Sequence, residues 1–313
     1  MKALVTGGAG FIGSHLSERL LTEGAEVVAI DCFTDYYPRN IKERNVAGLR
    51  GRSAYRLVEQ DLAQADLPAL LDGVTHVFHL AAQAGVRKSW GRDFKTYTAL
   101  NIDATQRLLE ACVGRPLDRV VYASSSSVYG DEVALPMTED ALPRPVSPYG
   151  VSKLAAEHLC HLYFVNYGVP TVSLRYFTVY GPRQRPDMGF HRFFSAVLDG
   201  RPVAQFGDGL QTRDFTYVAD AVAATVAAAV RGTPGGVYNI GGGSRVSLEE
   251  VFNLIGRVSG RPVTIDRQAP QKGDMRDTYA DTSRARADLD FRPSVDLESG
   301  LREMFAWMET IPK

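Results

Sequence analysis

Through the first 175 residues, short apolar runs alternate with stretches whose apolar positions recur at helical spacing. Residues 2–6, 26–30, 54–59, 76–80, 119–123 and 171–175 read as buried strands. Between them, 12–22, 97–113 and 148–167 read as amphipathic helices. Strand and helix in strict turn predict βαβ units, and so a doubly wound α/β fold with helices on both faces of a parallel sheet. After residue 175, Gly and Pro punctuate the chain before an Ala/Val-rich helix at 219–230 and a strand at 236–240 return to the earlier rhythm. We therefore expect one domain from 1–175 plus 219–243, and a smaller α/β domain interleaved with it from 176–218 plus 244–313. Gly241-Gly242-Gly243 follows a strand and reads as a plain turn.

Composition narrows the class without changing this picture. Acidic and basic residues nearly balance, with 36 Asp and Glu against 35 Lys and Arg, and they are interspersed. That pattern argues against nucleic acid as a partner, and any anionic ligand must be gripped locally. Cys32, Cys112 and Cys160 are too scattered for a disulfide framework or a zinc site, which fits a reducing cytoplasm. The first apolar stretch is broken by glycines and does not resemble a signal peptide, and no segment is long enough to span a membrane.

Two motifs carry chemistry. Leu4-Val5-Thr6-Gly7-Gly8-Ala9-Gly10-Phe11-Ile12-Gly13 ends a strand and opens a helix. In that context Gly7, Gly10 and Gly13 let the backbone turn tightly against a pyrophosphate, with Phe11 and Ile12 in the same turn at the positive end of the helix dipole. Asp31 closes the second strand, where a carboxylate accepts ribose hydroxyls and repels a 2'-phosphate. Cys32-Phe33-Thr34 follow without an arginine, so NAD is expected rather than NADP. The second motif is Tyr149-Gly150-Val151-Ser152-Lys153. Pro148 suits a first helical turn, and the four-residue step then puts a phenol and an ammonium on one face. A cation beside Tyr149 would lower its pKa towards the range of a general base. Tyr122-Ala123-Ser124-Ser125-Ser126-Ser127-Val128-Tyr129-Gly130 follows the fifth strand and points hydroxyls into the same crevice. His79 reads as a packed histidine at a strand end.

These motifs resemble the extended short-chain dehydrogenase/reductase superfamily, with a Rossmann domain that binds NAD. The resemblance implies Ser125, Tyr149 and Lys153 as catalytic residues, with Tyr149 and Lys153 also binding the cofactor at its nicotinamide end, an adenine contact at Asp61-Leu62, and close approach of the cofactor to Ala81-Ala82-Gln83. Related 4,6-dehydratases carry Asp-Glu where Ser126-Ser127 stand, and related decarboxylases carry Glu in place of Ser127. Their absence disfavours elimination and leaves reversible oxidation.

Three further stretches look like the UDP-glucuronate 4-epimerases: residues 79–87, residues 175–188 with Arg185-Pro186-Asp187-Met188, and residues 213–218. This resemblance implies a homodimer assembled through helices 97–113 and 148–167. It also implies a substrate contact at Arg87, a diphosphate on Arg213 and Arg276, and uracil against Gln205-Phe206; a sugar carboxylate calls for hydroxyl donors and a guanidinium, which Ser126, Ser127, Thr178 and Arg185 can supply. UDP-galactose 4-epimerase is the main alternative. A dehydratase, a decarboxylase, a ketoreductase and a non-catalytic NAD-binding protein remain as others.

Overall fold

In the computed structural model residues 1–311 are described, and they build the expected doubly wound sheet. Its strands are β1 (Lys2–Thr6), β2 (Glu26–Asp31), β3 (Tyr55–Glu59), β4 (His76–His79), β5 (Arg119–Ser125), β6 (Thr171–Tyr176) and β7 (Val237–Ile240). Their order is β7-β6-β5-β4-β1-β2-β3, and every neighbouring pair is parallel. The order reverses between β1 and β4. Thr6 pairs with both Ile30 and His79, so three strands end level with one another there. A crevice at the carboxyl ends of strands at such a reversal is where open α/β sheets take ligands.

Side chains alternate across the sheet, which separates the apolar core into two layers. Val5, Val27, Ala29 and Phe78 pack with Leu16 and Leu20 on one face. Leu4, Val28, Ile30 and Val77 pack with Leu108, Ala156 and Cys160 on the other. Burying apolar surface on both faces is worth roughly 25 cal/mol per Å².

Helix α1 (Phe11–Thr22) starts at Gly10, α2 spans Arg39–Val46, α3 spans Ala104–Cys112, α4 spans Pro148–Tyr167 and α5 spans Val218–Arg231. Helix α4 has the bounds its sequence predicts. The Ser147 hydroxyl caps it by accepting from Gly150 N at 3.1 Å, Pro148 opens its first turn, and Gly168 closes it at φ 70°. The predicted helix at 97–113 is instead interrupted. A short α-turn at Phe94–Tyr97 leads into a wider π-helical stretch at Thr98–Asp103, and only then into α3. Asn101 lies in the wide turn, where its side chain bonds both backbone groups of Gln83.

Beyond β6 the chain forms three two-stranded pairs: 179–180 with 216–217, 212–214 with 245–247, and 203–206 with 265–268. The turn at Gly241-Gly242-Gly243 serves Asp214, whose carboxylate accepts from Gly242 N at 2.7 Å and Ala280 N at 3.1 Å. A Cβ on Gly241 would meet that carboxylate, so the glycines are required by packing. No helix among the described residues is long and apolar enough to cross a membrane.

Candidate functional site

A cleft of about 890 Å³ runs along the carboxyl ends of the sheet strands and out beneath the two-stranded pairs. At one end lies the glycine turn. Gly7 sits at φ 68°, and a Cβ there would fall 2.9 Å from Ala81 N, while one on Gly13 would strike the Gly7 carbonyl oxygen. Gly10 N donates to Gly7 O at 3.0 Å and closes the turn before α1. Phe11, Ile12 and Gly13 line the cleft with Gly7 and Gly10.

Asp31 is 6 % exposed and more heavily engaged than its sequence context implies. Its Oδ2 accepts from Ala9 N at 3.1 Å, and its Oδ1 accepts from Phe33 N at 2.9 Å and from Lys42 Nζ at 2.7 Å. Lys42, on α2, is equally buried. A cation thus stands beside Asp31, supplied by a helix and not by the residues that follow the strand. Asp61, Leu62, Ala81, Ala82 and Gln83 line the same end of the cleft. His79 is held between Thr6 Oγ1 at 2.8 Å and Thr105 Oγ1 at 2.9 Å, and burial lowers its pKa to about 3. It is the packed, neutral histidine its position at a strand end suggests.

The centre of the cleft holds Ser125, Ser126, Ser127, Tyr149 and Lys153. Ser125 ends β5, and its hydroxyl accepts from Ser127 N at 3.2 Å. Tyr149 comes from the first turn of α4 and packs edge-on against Tyr97. Its pKa is raised by burial, opposed by the positive charge of Arg185 and by a hydrogen bond with Ser125. The helical spacing pointed to a lowered pKa for Tyr149, and here the structure differs, because burial outweighs the groups that favour the phenolate. The Lys153 ammonium lies 4.4 Å from the centre of the Tyr122 ring, and burial lowers its pKa to about 7. Asn101 was not singled out from the sequence. Its amide donates to Ser152 Oγ at 2.9 Å and so ties Gln83 to the turn of α4 that carries Lys153. A buried polar residue within an otherwise apolar helical face was the available signal.

Thr178, Arg185, Phe206, Arg213 and Arg87 line the far end, and each of these arginines already has a partner. Arg185 Nε and Nη2 each bond an oxygen of Asp187 at 3.0 Å. Arg87 pairs with Asp274 at 2.7 Å, and its guanidinium carbon lies 4.1 Å from the centre of the Phe206 ring. Arg213 donates to the carbonyls of Thr212, Met275 and Arg276, and burial lowers its pKa. Arg276 is exposed, pairs with Asp208 at 2.9 Å, and lines an adjoining cavity of about 450 Å³. Gln205 does not line either cavity; its buried amide donates to Gly207 O at 3.1 Å, and Gln211 borders both spaces.

The model of the NAD dependent epimerase/dehydratase family matches residues 3–241. A Bacillus subtilis (strain 168) protein described as an uncharacterized UDP-glucose epimerase is 45% identical over 315 residues, covering 99% of both chains. A UDP-glucuronate 4-epimerase of Thermodesulfobacterium geofontis (strain OPF15) is 35% identical over 309 residues, covering 97% of this chain and 95% of its own. Among solved structures, UDP-glucuronic acid 4-epimerase from Bacillus cereus, in complex with UDP-glucuronic acid and NAD, is similar with a TM-score of 0.96. It is 45% identical and covers 99% of each chain.

Proposed function

This chain belongs to the NAD dependent epimerase/dehydratase family, and from that premise we propose that it is an isomerase interconverting UDP-glucuronate and UDP-galacturonate at C4. The observation that carries this reading is the grouping of Ser125, Tyr149 and Arg185 in one cleft, with serines at 126 and 127 where elimination would need carboxyl groups.

The residues at the sheet end fit NAD. A turn with no room for side chains stands before α1, and a buried carboxylate lies at the end of β2. Gly7, Gly10, Phe11, Ile12 and Gly13 would hold the pyrophosphate and Asp31 the ribose, with Asp61 and Leu62 at the adenine and Ala81, Ala82 and Gln83 beside the dinucleotide. The chemistry that NAD would supply there is reversible acceptance of hydride at C4, with return to the opposite face and no net consumption.

Tyr149 removes the proton of the C4 hydroxyl and restores it after the sugar has turned over. Ser125 hydrogen-bonds the reacting oxygen. Lys153, whose pKa burial lowers to about 7, would hold the phenolate of Tyr149 and the nicotinamide ribose. The 4-keto sugar is a β-keto acid and can lose carbon dioxide, so Ser126, Ser127, Thr178 and Arg185 must hold its carboxylate away from the geometry of bond breaking. Arg87, Arg213 and Arg276 serve the diphosphate, and Phe206 with the neighbouring Gln205 segment serves uracil. In this reading residues 1–175 plus 219–243 carry NAD and the remainder carries the sugar nucleotide.

A cytoplasmic homodimer completes the reading. Val151, Leu162, Val165 and Tyr167 leave exposed apolar surface along α4, which supports pairing between copies. UDP-glucose is the second candidate substrate, favoured by the name of the Bacillus subtilis relative and by the charge that Asp187 already places on Arg185. Incubating purified enzyme with UDP-glucuronate and, separately, UDP-glucose, with NMR identification of products, decides between them. UDP-galacturonate from the first is expected, and exclusive turnover of the second would overturn the uronate reading.

A further inference from the structure

Arg185 is the cleft arginine whose charge reaches Tyr149, and it does not stand alone. Asp187 lies two residues away, across Pro186, and meets the Nε and Nη2 edge of the guanidinium with both carboxylate oxygens at 3.0 Å. The Arg185 and Asp187 side chains are 21 % and 28 % exposed, so the pair is only partly screened by water. The Tyr36 hydroxyl, from the loop after β2, donates to Asp187 Oδ2 at 3.4 Å and braces it from the opposite wall. A guanidinium has five N–H donors on two usable edges. Asp187 occupies one edge, and the other, formed by Nη1 and the second Nη2 proton, can take a second carboxylate in the same plane.

We infer that Asp187 is a positioning residue for the substrate's carboxylate: it fixes which edge of Arg185 faces the sugar and offsets the charge of that arginine, so that a uronate is oriented without being clamped. This rests on the reading of Arg185 as the carboxylate's partner. The need for such a device follows from the reaction. The sugar must present first one face and then the other, so its carboxylate has to leave and rejoin its partners within each turnover. A lone buried guanidinium would bind the carboxylate more tightly in the ground state, which slows turnover instead of aiding it. An arginine already neutralised by Asp187 contributes direction through hydrogen bonds while the net Coulomb attraction is small.

The test is Asp187→Asn in the NAD-loaded enzyme, with dissociation constants for UDP-glucuronate and UDP-glucose measured by calorimetry, and with turnover and products followed by NMR. Asparagine keeps the shape but removes the charge and one of the two acceptors. Affinity for UDP-glucuronate should rise roughly ten-fold, the scale of one nearby like charge removed from a partly buried site, with UDP-glucose affinity unchanged. Turnover of UDP-glucuronate should fall by a similar factor, and the fraction released as decarboxylated 4-keto-pentose should rise. A merely structural role would not tighten one ligand selectively. Weaker or unchanged UDP-glucuronate binding, or equal changes for both ligands, overturns the inference.

Asp187→Glu provides a second arm, because it keeps the charge and moves the guanidinium. It should lower turnover without tightening binding, and normal turnover would count against the inference. Arg185→Ala, measured in parallel, reports on the underlying reading. Selective loss of UDP-glucuronate binding there, with no tightening in Asp187→Asn, rejects the role of Asp187 alone. Equal loss of both ligands in Arg185→Ala rejects the anchor itself.

Discussion

At the sheet end of the cleft, polar groups reach the cavity from strand termini and a glycine turn held by the register of β1, β2 and β4. At the opposite end Arg87, Arg185 and Arg213, with Arg276 at the adjoining cavity, arrive on loops and short strands, each already bonded to another part of the protein. In the proposed reading the first end is a fixed mould for NAD, which stays, and the second is a set of shared hydrogen bonds for a sugar nucleotide that enters, turns and leaves. Preorganisation costs little where backbone geometry supplies it, whereas unpaired arginines crowded at this end would repel each other and hold an anion too firmly. Tyr149 stands between the two ends, and its environment draws on both.

The largest effect should come from that junction. Tyr149→Phe removes only the phenolic oxygen, so folding and NAD binding should survive while turnover falls by about 10²- to 10⁴-fold, the range for loss of a positioned general base. Steady-state rates with cofactor content measured alongside provide the check. Near-normal turnover in a folded, NAD-loaded variant would remove Tyr149 from the chemistry and break the division of the cleft around it.

What was legible in the sequence follows the same divide. The glycine turn could be read because its constraint is local: only glycine fits at φ 68° for Gly7 and against the Gly7 carbonyl for Gly13. Helix α4 could be read to its ends because Ser147, Pro148 and Gly168 are local signals too. The four-residue spacing of Tyr149 and Lys153 was equally visible, but not that the ammonium lies over Tyr122 or that Arg185 brings its charge to Tyr149. Lys42 beside Asp31 and Asn101 beside Gln83 depend on how one element crosses another. Asp187 was within reach, since an Arg-Pro-Asp turn places two opposite charges close together, but the sequence does not show that their side chains face each other. Regular spacing reports one element's faces, and it is silent on which loop closes over them.

A smaller effect sharpens the contrast at the substrate end. A guanidinium–carboxylate bond contributes about 1.5–3 kcal/mol, or roughly 10- to 150-fold. Arg185→Ala should cost that much in kcat/KM on UDP-glucuronate and much less on UDP-glucose, and it should release more decarboxylated product. Time-resolved NMR with both substrates separates the two outcomes. Equal losses would mean that the far end recognises the nucleotide alone.

The smallest effect concerns the stability cost of Lys153, which is 3 % exposed and has a pKa lowered to about 7 by burial, against an ordinary value of 10.5. Between those values the unfolded chain binds more protons at this site than the folded one, so the lysine makes stability rise with pH across that window. Below about pH 7 the full cost of burying its charge is present, and above the ordinary value it has gone. Lys153→Met, stripped of nucleotide and compared with equally stripped wild type, should therefore melt higher at pH 6–7, by about 2–6 °C. That advantage should shrink steadily as the pH approaches 10. Activity should be lost throughout, because Met carries no ammonium. Thermal melts of both proteins across this pH range test the sign directly: an advantage that grows with pH, or a less stable Met variant at pH 6, would show that Lys153 is a stabilising charge like those of the paired arginines and not one kept at a cost for the reaction.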